Sequence, residues 1–288
     1  MNDNTKIEWC DATLNPLGWG CFGPNGTPEK PARCSYCYAH RQAKRKMNRC
    51  DKCNQFVPHG DHVETEMQKL VEWKRPRRVF VQSMGDLFGM GVDLAWIDLT
   101  MNYIRAASRQ TCIVLTKCPT RARAYFQAVA AQEGKDAIPR NLILCVSASR
   151  QEDADERLAI LRTTPVWWRG LSLEPMLGPV DLAAHLWRRV AGGEGIDYDE
   201  RAGWLHWVIV GGLTLPGAKQ KAPNERWTAL VVAQTRAAAM PVFVKDNAGY
   251  AVGWASQGLA IDAATAGGYP VLYQGWSLQG WPLVVNDD

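Results

Sequence analysis

The sequence contains no apolar run of the roughly 18 residues that a membrane span requires. Its opening stretch, MNDNTK, also lacks the apolar segment of a secretory signal. We therefore expect a cytoplasmic protein without a membrane partner. Internal repeats and low-complexity tracts are missing as well.

A large charge imbalance is missing too, since the formal net charge is +4. Hydrophobic residues make up 47% of the chain and charged residues 22%, a balance typical of a globular protein with a buried core. The positive charge gathers in two runs, 40–46 and 74–78, which could contact phosphate groups but are expected to form a solvated helix face and a charged strand entry. The 13 tryptophans suit both stacking on a base and filling a large core, so they decide neither.

Nine cysteines, an odd number, are not expected to form a disulfide framework in a reducing cytosol. Clustered cysteines therefore indicate metal ligands. One cluster joins Cys21 to Cys34 and Cys37, and another contains Cys50 and Cys53. The other four are scattered, which predicts small apolar side chains: Cys10, Cys112, Cys118 and Cys145.

The thiols of Cys21, Cys34 and Cys37 suit a 4Fe-4S cluster, because thiolate is the usual protein ligand of its irons. Three cysteines leave one iron open, whereas a structural zinc site closes with a fourth Cys or His. The Gly- and Pro-rich gap 22–33 allows Cys21 to fold back onto the tight turn at 34–37. We therefore predict an iron–sulfur cluster with an open coordination position.

The second pair of cysteines is followed by two histidines. Together they make the array C-x2-C-x5-H-x2-H at Cys50, Cys53, His59 and His62, all of them ordinary zinc ligands. The spacing leaves no room for the helix of a nucleic-acid-reading finger. We predict a small structural zinc knuckle first, no metal second and an auxiliary iron–sulfur cluster third.

From residue 77 onward, short apolar runs alternate with helical patterns. The predicted strands are 78–83, 111–116, 141–147, 168–173, 204–210 and 241–245, with a further extended segment at 10–17. The predicted helices are 93–107, 119–133, 152–161 and 224–239. Such βα units with apolar strands predict an α/β fold with parallel strands, a partial or full barrel of about six to eight units.

The chain offers no convincing linker, so we predict one domain over 1–249. It would include a cysteine loop at 18–39 and a Cys/His insertion at about 48–64. Residues 250–288 are predicted to be a C-terminal extension packed on the barrel. The glycine- and acid-rich segment 190–203 is predicted to be a surface loop.

Polar or glycine residues follow nearly every predicted strand. In βα barrels, functional groups collect in the loops after the carboxyl ends of the strands. Turn chemistry alone does not explain the lysines, carboxylates and paired hydroxyls there. We therefore predict one shared site. The segments are 83–86, 116–117, 147–149, 174–175, 211–212 and 245–247.

The order of strand, Cys21, gap, Cys-x-aromatic-Cys and βα units resembles the radical S-adenosylmethionine (SAM) superfamily. More closely, the chain resembles a phage and bacterial family of three-cysteine radical-SAM-like proteins of unknown function. The resemblance spans residues 6 to about 249 and implies a TIM-barrel-like fold of the radical SAM type. It rests on KIEWCDAT (6–13), CSYCYA (34–39), RRVFV (77–81), SMGDLF (83–88), VLTK (114–117), SLEPMLGP (172–179) and WVIVGG (207–212).

The resemblance implies that Cys21, Cys34 and Cys37 hold the 4Fe-4S cluster and that the amino and carboxylate groups of SAM bind its open iron. One electron, from a reductant such as flavodoxin or ferredoxin, then cleaves the sulfonium and releases a 5'-deoxyadenosyl radical that abstracts hydrogen from a substrate. The phage context, the basic runs and the aromatic residues favour a nucleobase or nucleic acid as substrate, with a peptide or a metabolite as alternatives.

The resemblance also assigns cofactor contacts by position. The matched residues are Ser83, Gly85 and Asp86 for the SAM amino group, Ser147 and Ser149 for the ribose, Gly211 and Gly212 for the adenine, and Tyr36 in the cysteine motif. Lys117, Glu174 and Lys245 are predicted catalytic residues that face the same barrel mouth and hold the SAM carboxylate or the substrate.

Two departures separate the chain from the closer family. The gap between Cys21 and Cys34 holds twelve residues, more than is usual, so Cys10 is an alternative ligand. Leu213 follows the paired glycines where that family usually has Glu. The competing interpretation is a zinc-stabilised nucleic-acid-binding protein without catalysis, and a third is a protein that binds SAM without cleaving it.

Overall fold

The computed structural model describes residues 5–45, 57–191, 197–201, 203–214, 220–238 and 240–248. The helices are α1 (Tyr38–Arg45), α2 (Val63–Glu72), α3 (Leu94–Ala106), α4 (Pro119–Glu133), α5 (Gln151–Arg162), α6 (Ala183–Leu186) and α7 (Glu225–Ala237). The strands are β1 (Ala12–Leu14), β2 (Arg78–Val81), β3 (Thr111–Thr116), β4 (Leu142–Ser147), β5 (Trp168–Leu173), β6 (Trp187–Ala191), β7 (Asp197–Arg201), β8 (Trp207–Val210), β9 (Leu213–Thr214), β10 (Gln220–Lys221) and β11 (Val242–Val244). Among the helices in these ranges, none has both the length and the apolar character that crossing a membrane requires.

The chain divides into two compact units. Unit 1 comprises the described part of Met1–Val146 together with Thr163–Trp168. In it, β1 pairs with β2, β2 with β3 and β3 with β4, all in parallel. The strands are almost wholly buried, which agrees with their continuous runs of Val, Ile, Leu and Phe. Helix α3 begins after Asp93, whose carboxylate accepts the Ala95 N–H at 2.9 Å as an N-cap.

Unit 2 comprises Ser147–Arg162 and the described part of Arg169–Leu283. Strand β8 lies between β5 and β11 and pairs in parallel with both. Helix α7 begins after Asn224, whose side chain accepts the Arg226 N–H at 3.0 Å. Two short antiparallel pairs, β6 with β7 and β9 with β10, complete the strands of this unit.

The parallel sheet has the strand order β1-β2-β3-β4-β5-β8-β11. Apart from the short antiparallel strands, each strand is followed in the sheet by the next strand of the sequence, as successive βα units require. This order confirms the predicted fold class, an α/β fold with parallel strands of the partial (βα) barrel type.

Residues 190–191 and 197–201 of the segment predicted to be a surface loop lie in β6 and β7, so the prediction is wrong there, and 192–196 and 202 lie outside the described residues. The register of β6 and β7 sets Arg188 opposite Glu200 and Arg189 opposite Asp199. The glycine and acid content of the segment concealed this pairing, because a cross-strand pattern does not appear as a local period.

An ion pair joins the starts of β1 and β2 in unit 1. Arg78 donates to Asp11 from its backbone N–H at 2.8 Å and from Nε at 2.9 Å, and its Nη2 also contacts the carboxylate. Burial alone raises the pKa of Asp11, but the hydrogen bonds and the charge of Arg78 outweigh it, and the net pKa lies below the ordinary value. The Asp11 side chain is 40% exposed, so solvent screens the pair.

We expect Asp11→Asn to lower the free energy of unfolding at pH 7 by about 1 kcal/mol or less. Because the folded pKa is depressed, the stabilisation is present above the ordinary carboxyl pKa of about 4 and is lost as the pH falls through the folded value. Urea unfolding should thus separate wild type from variant at neutral pH and bring them together in acid. Glu156→Gln, on the exposed face of α5, is the control and should show no such pH dependence.

Candidate functional site

The cysteine loop of unit 1 is attached to the end of β2. Gly20 forms a parallel bridge with Gly85, and its N–H donates to the Met84 carbonyl at 3.2 Å. A Cβ on Gly85 would lie 2.5 Å from the Gly20 oxygen, so this approach requires glycine. The loop then closes on itself through the Ala32 N–H, which donates to the Phe22 carbonyl at 2.7 Å. This closure returns the chain to Cys34 after the long gap.

Backbone N–H groups point at two of the three predicted cluster sulfurs. Gly23 donates to the Cys21 Sγ at 3.2 Å, and His40 donates to the Cys37 Sγ at 3.4 Å. The Cys37 N–H donates to the Cys34 carbonyl at 3.0 Å and tightens the turn between them. Burial, then the charge of Asp86 and of the other two cysteines, raises the pKa of the Cys21 thiol to about 12.

The chemical type of the candidate ligands, three cysteine thiols, fits an iron–sulfur cluster. Thiolates are the usual ligands, and N–H groups aimed at sulfur stabilise them and tune the cluster. With its raised pKa, Cys21 stays protonated without a metal, so metal binding there would release a proton. Within the described ranges no group of three Cys, His, Asp or Glu side chains is already gathered for a metal ion. The ligand assignment therefore stays a prediction, and Cys10 lies at the opposite, amino end of β1 from this loop.

Asp86 is the polar centre of the loops behind β2 and β3. Its Oδ1 accepts the Thr116 hydroxyl at 2.8 Å and the Phe88 N–H at 3.0 Å, and its Oδ2 accepts the Lys117 N–H at 2.8 Å. Burial raises the pKa of this carboxyl, and the three hydrogen bonds oppose the rise. Asp86 therefore connects the loops that follow β2 and β3, near Cys21. Its contact with the SAM amino group stays a prediction.

The other predicted site residues of unit 1 lie around Asp86. The Tyr38 hydroxyl donates to the Ser83 carbonyl, and the Lys117 Nζ lies 5.4 Å from the centre of the Tyr36 ring. Ser83 is buried, and its Oγ lies 3.3 Å from the Asn15 Oδ1. The structure thus brings Tyr36, Ser83 and Lys117 to the loops that carry Asp86 and the cysteines.

Sequence reasoning missed two residues that hold this region together. Asn15, directly after β1, accepts the Met84 N–H at 2.8 Å. Gln82, directly after β2, accepts the Leu17 N–H at 3.0 Å and donates to the Gly18 carbonyl at 3.0 Å. Its φ of 66° lies in the left-handed region, which is unusual for glutamine. The only sequence signal was their position at strand ends.

In unit 2 the predicted residues Glu174, Gly211 and Lys245 form one row. The register Leu173–Val210–Val244 puts them side by side, just past the ends of β5, β8 and β11. The Lys245 Nζ donates to the Glu174 Oε1 across the glycine. A Cβ on Gly211 would lie 3.0 Å from side-chain carbons of both partners, so glycine makes room for the ion pair. The side chains of Lys245 and Glu174 are only 9% and 24% exposed.

The remaining predicted residues of unit 2 are held by their neighbours. The Gly212 N–H donates to the Asn247 Oδ1 at 2.9 Å, and the Asn247 amide returns a bond to the Gly212 carbonyl. Ser147 ends β4 and Ser149 follows it by two residues; both are buried, and the Ser149 carbonyl accepts the Leu177 N–H at 2.8 Å. The mouth predicted to be shared by Lys117, Glu174 and Lys245 stays a prediction, since Lys117 belongs to unit 1.

The predicted zinc array lies only partly within the described residues. His59 and His62 come together with ring centres 4.9 Å apart, and the His59 Nδ1 lies 3.4 Å from an Asp61 oxygen. Cys50 and Cys53 lie outside the described residues. Zinc binding here stays a prediction.

We expect Gly23→Ala to disrupt the cysteine loop. Gly23 has a φ of 93°, and an added Cβ would lie 1.9 Å from the Ala32 carbonyl oxygen. Gly134→Ala is a matched control, because Gly134 has a φ of 87° with nothing within 4 Å. Both variants place a Cβ at a positive φ, a strain of about 1 to 3 kcal/mol, so a larger loss of thermal stability in Gly23→Ala reports the clash. Equal losses would show that the loop is not closed in this way.

Residues 4–269 match the family described as Protein of unknown function (DUF5131), and the chain belongs to that family. No curated protein sequence matches the chain. A solved structure, spore photoproduct lyase complexed with dinucleoside spore photoproduct, is similar with a TM-score of 0.37 and 13% identity. The similarity covers 65% of this chain and 68% of that one.

Proposed function

We propose that the protein is a radical SAM enzyme that acts on a nucleobase or a nucleic acid. The observation that carries the proposal is the cysteine loop, in which the backbone N–H groups of Gly23 and His40 point at the sulfurs of Cys21 and Cys37. The resemblance of the sequence motifs to the radical SAM superfamily supports the same reading. When bound, a 4Fe-4S cluster supplies the electron that cleaves SAM to a 5'-deoxyadenosyl radical.

The proposal assigns roles to five side chains of unit 1. Cys21, Cys34 and Cys37 bind the cluster, and the N–H groups of Gly23 and His40 hold the sulfurs in orientation. Asp86 fixes the loops after β2 and β3 relative to each other. Lys117, carried on the second of these loops, supplies a positive charge for an anionic group of SAM or substrate.

The row in unit 2 supplies a second polar element. Lys245 and Glu174 form an ion pair across Gly211. A ligand that carries one anionic and one cationic group could bind Lys245 with the first and Glu174 with the second, so that neither buried charge is left unpaired. Ser172 lies in β5, two residues before Glu174. Its buried Oγ has no hydrogen-bond partner within the described ranges, so it can orient a polar atom of the ligand.

Anaerobic reconstitution tests the proposal. The protein is incubated with iron and sulfide, desalted, and then mixed with SAM and dithionite. We expect bound iron, a broad absorbance near about 400 nm typical of iron–sulfur clusters, and 5'-deoxyadenosine among the products. Colourless protein that retains only zinc would overturn the proposal in favour of a zinc-stabilised nucleic-acid-binding protein. Bound iron without 5'-deoxyadenosine would leave a protein that binds SAM without cleaving it.

A further inference from the structure

A basic surface lies at the amino ends of the strands of unit 1, whereas the cysteine loop follows their carboxyl ends. We call it the amino-end basic surface and define it by Lys6, Lys74, Arg75, Arg77 and Arg109. Lys6, Lys74, Arg75 and Arg109 are exposed. Lys6, Arg77 and Arg78 also line a cavity of about 430 Å³ beside β1 and β2. Exposed cations on loops around a cavity create a positive electrostatic potential that attracts an extended anionic partner.

The segments that carry these cations are fixed by a single buried amide. The Gln110 Oε1 accepts the Arg77 N–H at 2.8 Å, and its Nε2 donates to the Trp73 carbonyl at 2.8 Å. The Arg109 Nη1 donates to the Lys74 carbonyl at 3.2 Å, which joins the turn before β3 to the turn before β2. Because the two turns are joined, binding orders little additional backbone.

One guanidinium of this surface is stacked in place. The Arg77 guanidinium carbon lies 4.5 Å from the centre of the Trp73 ring. Stacking orients the planar fork, which matches phosphate oxygens in geometry. Since Arg77 covers that ring face, we expect contacts to phosphates rather than stacking of bases on Trp73.

Acidic neighbours do not cancel this charge. Arg78 is paired with Asp11 and is not counted among the five cations. Glu8 lines the cavity, and Glu72 accepts the Gln68 amide at 3.3 Å. Among the described residues that line the cavity or carry the two turns, the five cations outnumber the carboxylates of Glu8 and Glu72.

We infer that the amino-end basic surface binds the phosphate backbone of a nucleic acid without preference for a base sequence. A protein partner is less favoured, because the cores of protein interfaces are depleted in lysine and rich in apolar groups. The inference goes beyond the proposed function and does not depend on the iron–sulfur cluster, since the surface lies at the other ends of the strands.

The test is fluorescence anisotropy with a labelled DNA duplex of about 20 base pairs, at about 50 and about 200 mM salt. The protein is used without iron and without SAM, so failure here is distinct from failure of the proposed chemistry. We expect Lys74→Glu combined with Arg75→Glu to weaken binding by about tenfold or more and to reduce the salt slope by about two. Arg123→Glu combined with Arg162→Glu has the same net charge and should retain most of the affinity.

Three results would overturn the inference. One is equal weakening in both double variants, which would show only an effect of net charge. Another is unchanged binding in the Lys74 and Arg75 variant while its melting temperature matches wild type. The third is competition by polyglutamate as effective as by unlabelled duplex, which would assign the surface to acidic proteins instead.

Discussion

Cys37→Ala should lose its iron and all detectable cleavage of SAM. Three cysteine sulfurs leave a single iron of a 4Fe-4S cluster open, and removing one of them leaves the cluster with two protein ligands. The Cys37 Sγ accepts the His40 N–H at the start of α1, and this contact is lost with it. The measurements are iron per protein chain after anaerobic reconstitution and 5'-deoxyadenosine formed with SAM and dithionite. Cys34→Ala should behave in the same way.

Two other cysteines provide matched controls for this prediction. Cys112 is buried in β3, and the Cys118 Sγ lies 4.0 Å from the Pro24 carbonyl of the cysteine loop itself. We expect Cys112→Ala and Cys118→Ala to keep both iron and cleavage. Loss of iron in Cys118→Ala would show that the ligand set has been assigned wrongly. Iron retained in Cys37→Ala would have the same meaning.

Lys245→Met should destabilise the protein by roughly 2 to 4 kcal/mol and slow cleavage of SAM about 100-fold. The lysine is nearly buried, and its loss leaves the Glu174 carboxylate, which is only 24% exposed, without its counter-charge. Methionine preserves the aliphatic stem beside Gly211, so lost packing is kept small. Chemical unfolding and 5'-deoxyadenosine formation measure the two effects separately.

A double variant separates stability from function at this pair. Glu174→Gln combined with Lys245→Met removes both charges, so it should recover much of the stability that either single change loses. Its activity should remain low, because the groups proposed to meet the ligand are gone. Arg162→Met, on exposed α5 surface, is the control and should change neither quantity. Recovered activity in the double variant would contradict a catalytic task for the pair.

Much of the fold was predictable because its signals are local in sequence. Helix α4 runs from Pro119 to Glu133 as its pattern predicts, and Asp93 and Asn224 cap α3 and α7. Caps and helical periods span only a few residues, so they can be read without knowing the partners. The parallel order of the strands followed from the alternation of strand and helix patterns.

The site was less predictable, because its contacts join distant parts of the chain. Gln82 holds the Leu17 N–H across 65 positions, and nothing near Gln82 in the sequence indicates this bond. The pairing of β6 with β7 was missed for a related reason, since facing residues of two strands are not neighbours in sequence.

The sequence by itself determined the class of fold, the candidate metal ligands and the strand ends at which polar residues gather. Only the tertiary structure decided that Asp86 connects the loops after β2 and β3 and that Gly211 makes room for the Glu174–Lys245 pair. It also decided that Gln110, just before β3, is hydrogen-bonded to Trp73 and Arg77 before β2. The physical reason is that propensity and periodicity act over one or two turns of chain. Register and packing determine instead which of the resulting ends meet.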